Sequence, residues 1–267
     1  MNKKKINEKI CQKYLRELTI AHAIPRINEC LILEKFDFKS PILDLGCGEG
    51  VFGKLFYIKG KIDVGLDVDP KVAKIAGESG VYKEIVISPA KKIPFKDNSF
   101  NTVFSNSVLE HIEDLKPVFD EVYRVLKKNG RFIFIVPDKT ASDYFFYAEL
   151  FKKIKLKKLS NWYINTKNKL YQYAHLENKK YWEDLSLNSG FKIKEITGLV
   201  SPKAVRVIDL FSVSALPDYI LRRIFGRSFI FRPAFLAKTI TPFILPYCSG
   251  PIDSEATGWC FELIKNE

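Results

Sequence analysis

The sequence of 267 residues predicts an α/β fold with a mostly parallel sheet covered by helices on both faces. Two observations favour this fold class. Short apolar runs alternate with amphipathic stretches between residues 40 and 138. A glycine-rich turn, residues 46–50 (GCGEG), directly follows the first apolar run. Glycines at alternate positions let a backbone turn sharply and admit a ligand close to the main chain, so we expect a ligand there.

The individual elements follow from the spacing of apolar residues. Apolar side chains at intervals of three and four predict one helix over residues 6–35, interrupted only by Pro25. Further helices are predicted at residues 50–59, 70–79, 114–127 and 179–188. Strands are predicted at residues 41–45, 61–67, 81–87, 100–105, 131–136, 191–196 and 258–264. The regular alternation ends at Pro137, so residues 139–180 and 201–256 are predicted to be irregular inserts that cap the carboxyl edge of the sheet.

The composition excludes several classes of protein. Apolar residues make up 46% of the chain, which excludes wholesale disorder. The sequence has neither an apolar run of about 18 residues nor a secretory leader, so we expect no spanning helix and a cytoplasmic location. The five cysteines form no CxxC pair and are odd in number, so we expect buried free thiols and no structural metal site.

The positive charge is concentrated in two segments. The net charge is +12, of which residues 139–180 carry +7 and residues 201–240 carry +5. The remaining 26 basic and 26 acidic residues balance. We therefore expect these two segments to engage something anionic.

Two aspartates narrow the ligand of the glycine turn. Glycine turns serve NAD, FAD and S-adenosylmethionine alike, but the spacing here is not the GxGxxG of dinucleotide sites. Asp44, just before the turn, would repel a pyrophosphate and suit a ligand carrying an ammonium and a sulfonium. Asp67, at the end of the second strand, can accept both hydroxyls of a ribose. The alternative role for Asp67 is to cap the next helix, for which Asp69 is better placed.

Four ordered blocks carry a family resemblance: ILDLGCGEG, VGLDVDP, IPFKDNSFNTVFSNSVLEHI and EVYRVLKKNGRFIFIVP. Together they resemble the Rossmann-like class I methyltransferases of the UbiE, small-molecule type, known as type 11 methyltransferase domains. The resemblance covers residues 40–138 and is renewed at residues 173–198. It implies a seven-stranded, mostly parallel sheet with a final antiparallel strand and capping inserts. It also implies S-adenosylmethionine as the cofactor and an enzyme of the general class EC 2.1.1.-.

The resemblance also implies the cofactor contacts. The turn would hold the methionine part of the cofactor through Asp44, Gly46, Cys47, Gly48 and Gly50. Asp67 would bind the ribose and Val68 would pack on the adenine, while Ser105 and Asn106 would lie near the transferable methyl group.

The chain departs from the family at Pro89. That position usually carries a polar residue that bonds the adenine amino group, and proline has neither a side-chain acceptor nor an amide hydrogen. Backbone groups of Ser88 or Ala90 are expected to substitute.

Two histidines are the catalytic candidates. His111 follows the fourth strand in the expected cofactor loop, and His175 lies in a segment where related enzymes place a histidine facing the pocket. His22 lies on the amino-terminal helix and is expected to be a packing residue. Methyl transfer from a sulfonium mainly requires alignment of the nucleophile, so strong catalytic signatures are not expected.

We therefore predict a chain with a central cofactor core and flanking segments. An amino-terminal helical cap (1–38) is followed by the S-adenosylmethionine core (39–138) and a basic aromatic insert (139–180). The end of the sheet then comes in two parts (181–200 and 257–267), which a basic hydrophobic insert (201–256) separates. Residues 217–240 mix arginines with Ile, Leu and Phe, which suits peripheral contact with an anionic membrane; the alternative is an ordinary lid with a solvated basic face.

Three functions stay open at this point. The first is transfer of a methyl group from S-adenosylmethionine to a small-molecule or amphiphilic acceptor, such as a lipid, an isoprenoid or a lipid-linked sugar. The second is an RNA methyltransferase, which would use the basic segments to hold phosphates. The third is a non-catalytic binding protein that kept the methyltransferase fold.

Overall fold

The computed structural model describes residues 3–56, 62–213, 233–248, 250–252 and 255–266. The chain divides into two compact units. The sheet unit comprises residues 36–138, 173–197 and 258–267, and the helical unit comprises residues 1–35, 139–172 and 198–257.

A seven-stranded sheet forms the centre of the sheet unit, in the order β3-β2-β1-β4-β5-β7-β6. Its strands are β1 Ile42–Leu45, β2 Ile62–Asp67, β3 Tyr82–Ile87, β4 Phe100–Asn106, β5 Leu126–Pro137, β6 Phe191–Leu199 and β7 Gly258–Lys265. Strands β1 to β5 pair in parallel, whereas β7 runs antiparallel to β5. The predicted α/β, Rossmann-like class is thus confirmed, including the antiparallel strand.

The helices of both units are α1 Lys3–Glu17, α2 Ile20–Leu33, α3 Val51–Phe56, α4 Pro70–Glu78, α5 Leu115–Val125, α6 Phe146–Lys153, α7 Lys157–Leu170, α8 Lys179–Asn188, α9 Pro202–Ser212 and α10 Ala234–Ile244. Helix α5 shows how sequence spacing positions an element. Its apolar residues recur at intervals of three and four, and all of them are buried. They meet aromatic side chains of the sheet, where Phe119 lies edge-on to Phe132 and Phe134.

The prediction of one amino-terminal helix over residues 6–35 is wrong in its interior. The structure has two helices, α1 and α2, and the break falls at Thr19. The Thr19 hydroxyl accepts the N–H of His22 at 3.2 Å and thereby caps α2. Pro25, the expected interruption, lies inside α2. The cap at Thr19 therefore marks the start of a second helix, whereas Pro25 does not end the helix in which it lies.

The inserts predicted as irregular are largely helical in the described residues. Helices α6 and α7 occupy much of 139–180, and α9 and α10 lie within 201–256. Residues 214–232 fall outside the described part of the chain, and with them most of the segment 217–240. All five cysteines are buried free thiols, as predicted.

A buried ion pair lies inside the helical unit. The Asp209 carboxylate is 1% exposed and lies 3.2 Å from the Lys167 ammonium. It also accepts the Tyr163 hydroxyl at 2.7 Å and the Tyr147 N–H at 3.2 Å. The rings of Phe145, Tyr163 and Tyr171 surround the ammonium, with centroids 5.3 to 5.9 Å from it. The two charges therefore join α7 to α9 in the interior of the unit.

Candidate cofactor-binding site

The glycine turn adopts a backbone that favours glycine at each of its three alternate positions. The φ angles are 82° at Gly46, 53° at Gly48 and 73° at Gly50, all in the left-handed region. The N–H groups of Gly46 and Cys47 both donate to the Leu66 carbonyl, at 2.8 and 3.0 Å. The turn that leaves β1 is thereby bound to the end of β2. As a result, the glycine turn and the end of β2 lie side by side.

Gly46 carries a second constraint besides its φ angle. A Cβ atom at this position would lie 2.5 Å from both methyl groups of Val108. We expect Gly46→Ala to destabilise the fold by about 2 kcal/mol or more, because it adds a clash to left-handed strain of about 1–2 kcal/mol. Urea unfolding would measure the loss.

Two variants separate these contributions. Gly80 has a φ of 73° and open space around its Cα, so Gly80→Ala reports the backbone strain alone. Adding Val108→Ala to Gly46→Ala should recover part of the loss. Equal losses for Gly46→Ala and Gly80→Ala would contradict the proposed clash.

Asp67 holds the loop that follows β2 and the glycine turn with one carboxylate. Its two oxygens accept the N–H of Gly48 at 2.8 Å and the N–H of Asp69 at 3.0 Å. Asp69, and not Asp67, caps α4 by accepting the N–H of Lys71 at 2.8 Å, as predicted. Each Asp67 oxygen retains capacity for a further hydrogen bond, so the carboxylate can also accept hydroxyls of a ligand.

Asp44 is a buried carboxylate bonded to a tyrosine. It is 4% exposed, and the Tyr82 hydroxyl donates to it at 2.6 Å. Burial raises the pKa of Asp44 to about 7, aided by the charge of Asp67 and opposed by the Tyr82 hydrogen bond. A carboxyl group that titrates near neutrality beside a glycine turn can respond to a cationic ligand.

Sequence reasoning missed Tyr82. The tyrosine opens β3, and its ring lies against two glycines: a Cβ at Gly53 would come within 2.7 Å of its hydroxyl, and one at Gly65 within 2.8 Å of its ring. The available signal was the pair of glycines, one in the helix after the turn and one inside β2. Glycine inside a strand indicates the close approach of another group.

A cavity of about 410 Å³ opens beside the turn. Among the predicted residues, it brings together Gly46, Asp67, Val68, Ala90 and His111. The lining also includes Ser88, the alternative to Ala90, and residues that were not predicted as ligands: Leu66, Pro89, Lys91, Val108, Ile112, Glu113 and Asp114. The carboxylate of Asp67 and the exposed side chain of Val68 therefore face a space large enough for a small molecule.

The remaining predicted residues are not part of the cavity lining. Gly48 acts through its N–H to Asp67, and the Ser105 hydroxyl donates to the Leu45 carbonyl at 2.9 Å, which joins β4 to β1. Burial raises the pKa of the Cys47 thiol, so Cys47 stays a neutral packing group. Asp44, Gly50, Asn106 and His175 are also outside the lining.

Ser88 and Ala90 are the two residues expected to contact the adenine through their backbone, and Ala90 is the better placed of the two. The N–H of Ser88 donates to the Asp67 carbonyl at 3.0 Å, and its hydroxyl donates to the Lys92 carbonyl at 2.6 Å. Both hydrogen-bond donors of Ser88 are therefore used within the protein. Ala90 and Pro89 line the cavity, which makes the Ala90 backbone the better candidate for an adenine ring nitrogen.

Arg124 anchors residues 93–97, the segment that follows the cavity-lining residues 88–91. Its guanidinium donates to the carbonyls of Ile93 and Phe95 at 2.9 and 2.8 Å and to Glu121 at 2.6 and 2.8 Å. Glu121 in turn accepts the N–H of Ile93 at 2.8 Å, and the Arg124 hydrogen bond lowers the pKa of Glu121. The segment after the cavity wall is therefore anchored to α5.

The two candidate histidines occupy different surroundings. His111 lines the cavity and stacks on Tyr173, with ring centroids 5.6 Å apart. His175 lies 2.9 Å from the Glu113 carbonyl through Nε2, which must carry the proton of that bond. His175 also stacks on Tyr181 at 5.7 Å. Of the two imidazoles, only that of His111 faces the cavity.

Metal binding and membrane spanning are two further properties that the described residues bear on. No group of three or more His, Cys, Asp or Glu side chains in this part of the chain is arranged to hold a metal ion. Among the helices described, none is long and apolar enough to cross a membrane.

Comparison with known proteins finds sequence similarity in the central part of the chain. Residues 43–134 match the sequence model of the methyltransferase domain family. An uncharacterized protein of Methanocaldococcus jannaschii is 35% identical over 119 residues, which are 45% of this chain and 55% of that protein. The sterol 4-C-methyltransferase of Caenorhabditis elegans is 33% identical over 113 residues, 39% of this chain and 34% of that protein. The chain thus spans about half or less of these curated relatives.

A solved structure extends the likeness of fold beyond the matched domain. A SAM-dependent methyltransferase of Thermotoga maritima has a TM-score of 0.58 at 18% identity, with 92% of this chain and 91% of that chain covered. The family match, the glycine turn and the strand order agree with one another. Residues 43–134 are thus similar to the methyltransferase domain family, and the chain shares the fold of a SAM-dependent methyltransferase of known structure.

Proposed function

We propose that this protein transfers the methyl group of S-adenosylmethionine to a small-molecule or amphiphilic acceptor. One observation carries the proposal: the Asp67 carboxylate faces a cavity of about 410 Å³ directly beside a turn of three left-handed glycines. This combination suits a nucleoside whose other end is a compact cation. The Gly48 N–H is already bonded to Asp67, so this amide of the turn is not available to a pyrophosphate.

The cofactor would be held by three parts of the site. Asp67 would accept the two ribose hydroxyls, and Val68 together with Ala90 would enclose the adenine. The glycine turn would leave room for the methionine part, whose ammonium would be attracted to Asp44. Cys47, Gly50, Ser105 and Asn106 would support this end through the backbone around them.

The bound cofactor supplies an electrophilic methyl group, so the protein has to align an acceptor and exclude water. We assign the ionisable role to His111, which lines the cavity, if the acceptor is a hydroxyl that must lose a proton. We assign His175 a positioning role, because its bond to the Glu113 carbonyl holds the segment that ends the cavity lining.

The helical unit is proposed to select the acceptor. Its helix α10 has a buried face at Ala237, Thr241 and Ile244, yet Phe235 and Phe243 are 71% and 73% exposed. Exposed aromatic side chains of this kind suit an amphiphile, and they support the contact with an anionic membrane proposed for residues 217–240.

Calorimetric titration of the purified protein tests the cofactor. Failure to bind S-adenosylmethionine at sub-millimolar concentration would overturn the proposal. Radiolabelled S-adenosylmethionine incubated with fractionated lysate then tests the acceptor. Label in lipid or small-molecule fractions would support the proposed class, label in RNA would favour the RNA methyltransferase, and binding without transfer to any fraction would favour a non-catalytic protein.

Affinity for the cofactor is expected to depend on pH through Asp44. Its pKa of about 7 means that protonation removes the anion that attracts the ammonium. Affinity should fall about twentyfold between pH 7.5 and pH 5.5, following the ionised fraction of one group. Titrations in a constant-ionic-strength buffer series would measure the fall, and Asp44→Asn should bind weakly with no such dependence.

The same group makes the stability of the free protein depend on pH in a definite direction. The folded-state pKa of Asp44 is raised above the unfolded value of 3.8, so the folded protein binds more protons between about pH 4 and pH 7. The contribution of Asp44 to stability is therefore present below pH 4 and lost as the pH rises to 7. Asp44→Asn, measured by urea unfolding, should be more stable than the parent at pH 8 but not at pH 4; the reverse order would contradict the assignment.

A further inference from the structure

The segment that runs from the end of α6 through α7 exposes both lysines and large apolar side chains. Residues 150–176 contain seven lysines and no acidic residue. Lys167 is engaged with Asp209, whereas the other six are exposed: Lys152, Lys153, Lys155, Lys157, Lys158 and Lys169. This segment therefore presents a strongly positive surface that the buried ion pair does not neutralise.

Large apolar side chains lie among these lysines and are also exposed. The exposed fractions are 55% for Ile154, 48% for Leu156 and 60% for Trp162. Leu159 and Leu170 add to the set at 37% and 51%. Exposed apolar groups clustered with a single sign of charge indicate a surface that binds a partner.

The geometry of α7 keeps these groups pointing outward. Leu159, Trp162 and Leu170 are spaced by three and eight residues, so they share one side of the helix. A neighbouring side is fixed inside the unit: the Ser160 hydroxyl donates to the Ala148 carbonyl at 3.0 Å, and Lys167 reaches Asp209. Rotation of α7 to bury the apolar stripe would break both contacts.

We propose that the α6–α7 hairpin, residues 150–170, docks on the surface of an anionic lipid bilayer. Lysines attract the lipid phosphates, and Ile, Leu and Trp side chains of this exposure enter the boundary between headgroups and acyl chains. The four exposed aliphatic residues, Ile154, Leu156, Leu159 and Leu170, favour lipid over RNA, which would use aromatic stacking and phosphate contacts alone. Two copies of the hairpin would repel each other. This surface includes none of residues 217–240, and its proposed role does not depend on methyl transfer.

Vesicle sedimentation of the full chain tests the proposal with matched variants. The protein should bind vesicles of phosphatidylcholine with phosphatidylglycerol, bind phosphatidylcholine alone far less, and dissociate at high salt. Lys157→Gln with Lys158→Gln should weaken binding about tenfold or more. The charge-matched control, Lys71→Gln with Lys74→Gln on α4, should change it little.

The apolar half of the surface needs its own test. Leu159→Ser with Trp162→Ser should weaken binding at unchanged charge, whereas Leu187→Ser, at an exposed leucine of α8, should not. Brominated lipids should quench the parent more than Trp162→Phe, which retains Trp182 and Trp259. Circular dichroism establishes that each variant is folded.

Three outcomes would overturn the inference. They are equal binding to neutral and anionic vesicles, binding to a single-stranded RNA in place of vesicles, and a concentration-dependent dimer in which Trp162 fluorescence becomes shielded. Loss of methyl transfer with vesicle binding intact would count against the proposed function alone, so the two proposals fail separately.

Discussion

Asp67→Ala is expected to weaken the binding of S-adenosylmethionine by about 100-fold or more. The substitution removes the proposed acceptor of two ribose hydrogen bonds, each worth about 1.5–3 kcal/mol when the acceptor is charged. It also releases the N–H groups of Gly48 and Asp69, which the carboxylate holds at 2.8 and 3.0 Å. Calorimetric titration would measure the change in affinity.

Asp67→Asn is the informative control for this variant. The amide keeps one acceptor oxygen and the volume of the side chain, so it should retain part of the loop geometry while losing the charge. An affinity between those of the parent and Asp67→Ala is expected. If Asp67→Ala bound the cofactor as tightly as the parent, the ribose assignment would be wrong and the carboxylate would serve only to join the turn to α4.

Asp209→Ala should destabilise the protein by about 3–5 kcal/mol, since it leaves the Lys167 ammonium buried without its counter-charge. The Tyr163 hydroxyl and the Tyr147 N–H lose their acceptor at the same time. Urea unfolding followed by far-ultraviolet circular dichroism would measure the loss.

Two further variants show whether the buried charge causes this loss. Lys167→Met combined with Asp209→Leu removes both charges and should recover part of the stability. Asp120→Ala breaks an exposed pair with Lys116 on α5 and should change the unfolding free energy by less than about 1 kcal/mol. A loss for Asp209→Ala as small as that of Asp120→Ala would contradict the picture of a buried pair.

The parts of the fold that could be predicted depend on local patterns. Helix α8 was predicted at 179–188 and is found at Lys179–Asn188, because Asn178 caps it and Gly190 follows it. Six of the seven strands were placed within three residues at each end, since buried strands have continuous apolar runs, whereas β5 begins at Leu126, five residues before its predicted start. The glycine turn and Asp67 were proposed from the same local reasoning, and Val68 from the family resemblance.

The parts that could not be predicted depend on contacts between distant residues. Tyr82 reaches Asp44 across 38 positions of the chain, and Lys167 reaches Asp209 across 42. The sequence shows the lysine only as part of a basic segment, so it was assigned to an external anion. The helices of the inserts were missed because their lysines and aromatic residues lie on exposed as well as buried faces, which obscures the periodicity.

The anchoring by Arg124 of the segment that follows the cavity wall bears on the entropy of ligand binding. Residues 93–97, which follow the cavity lining, are already tied to α5 by three hydrogen bonds from the Arg124 guanidinium, so they need little ordering when a ligand binds. Each side chain or loop residue that a ligand must immobilise would otherwise subtract about 0.5–1.5 kcal/mol from its affinity. Pre-organisation of this kind offers compensation for the missing polar side chain at Pro89, because a rigid backbone acceptor or donor loses less conformational entropy on binding than a flexible one.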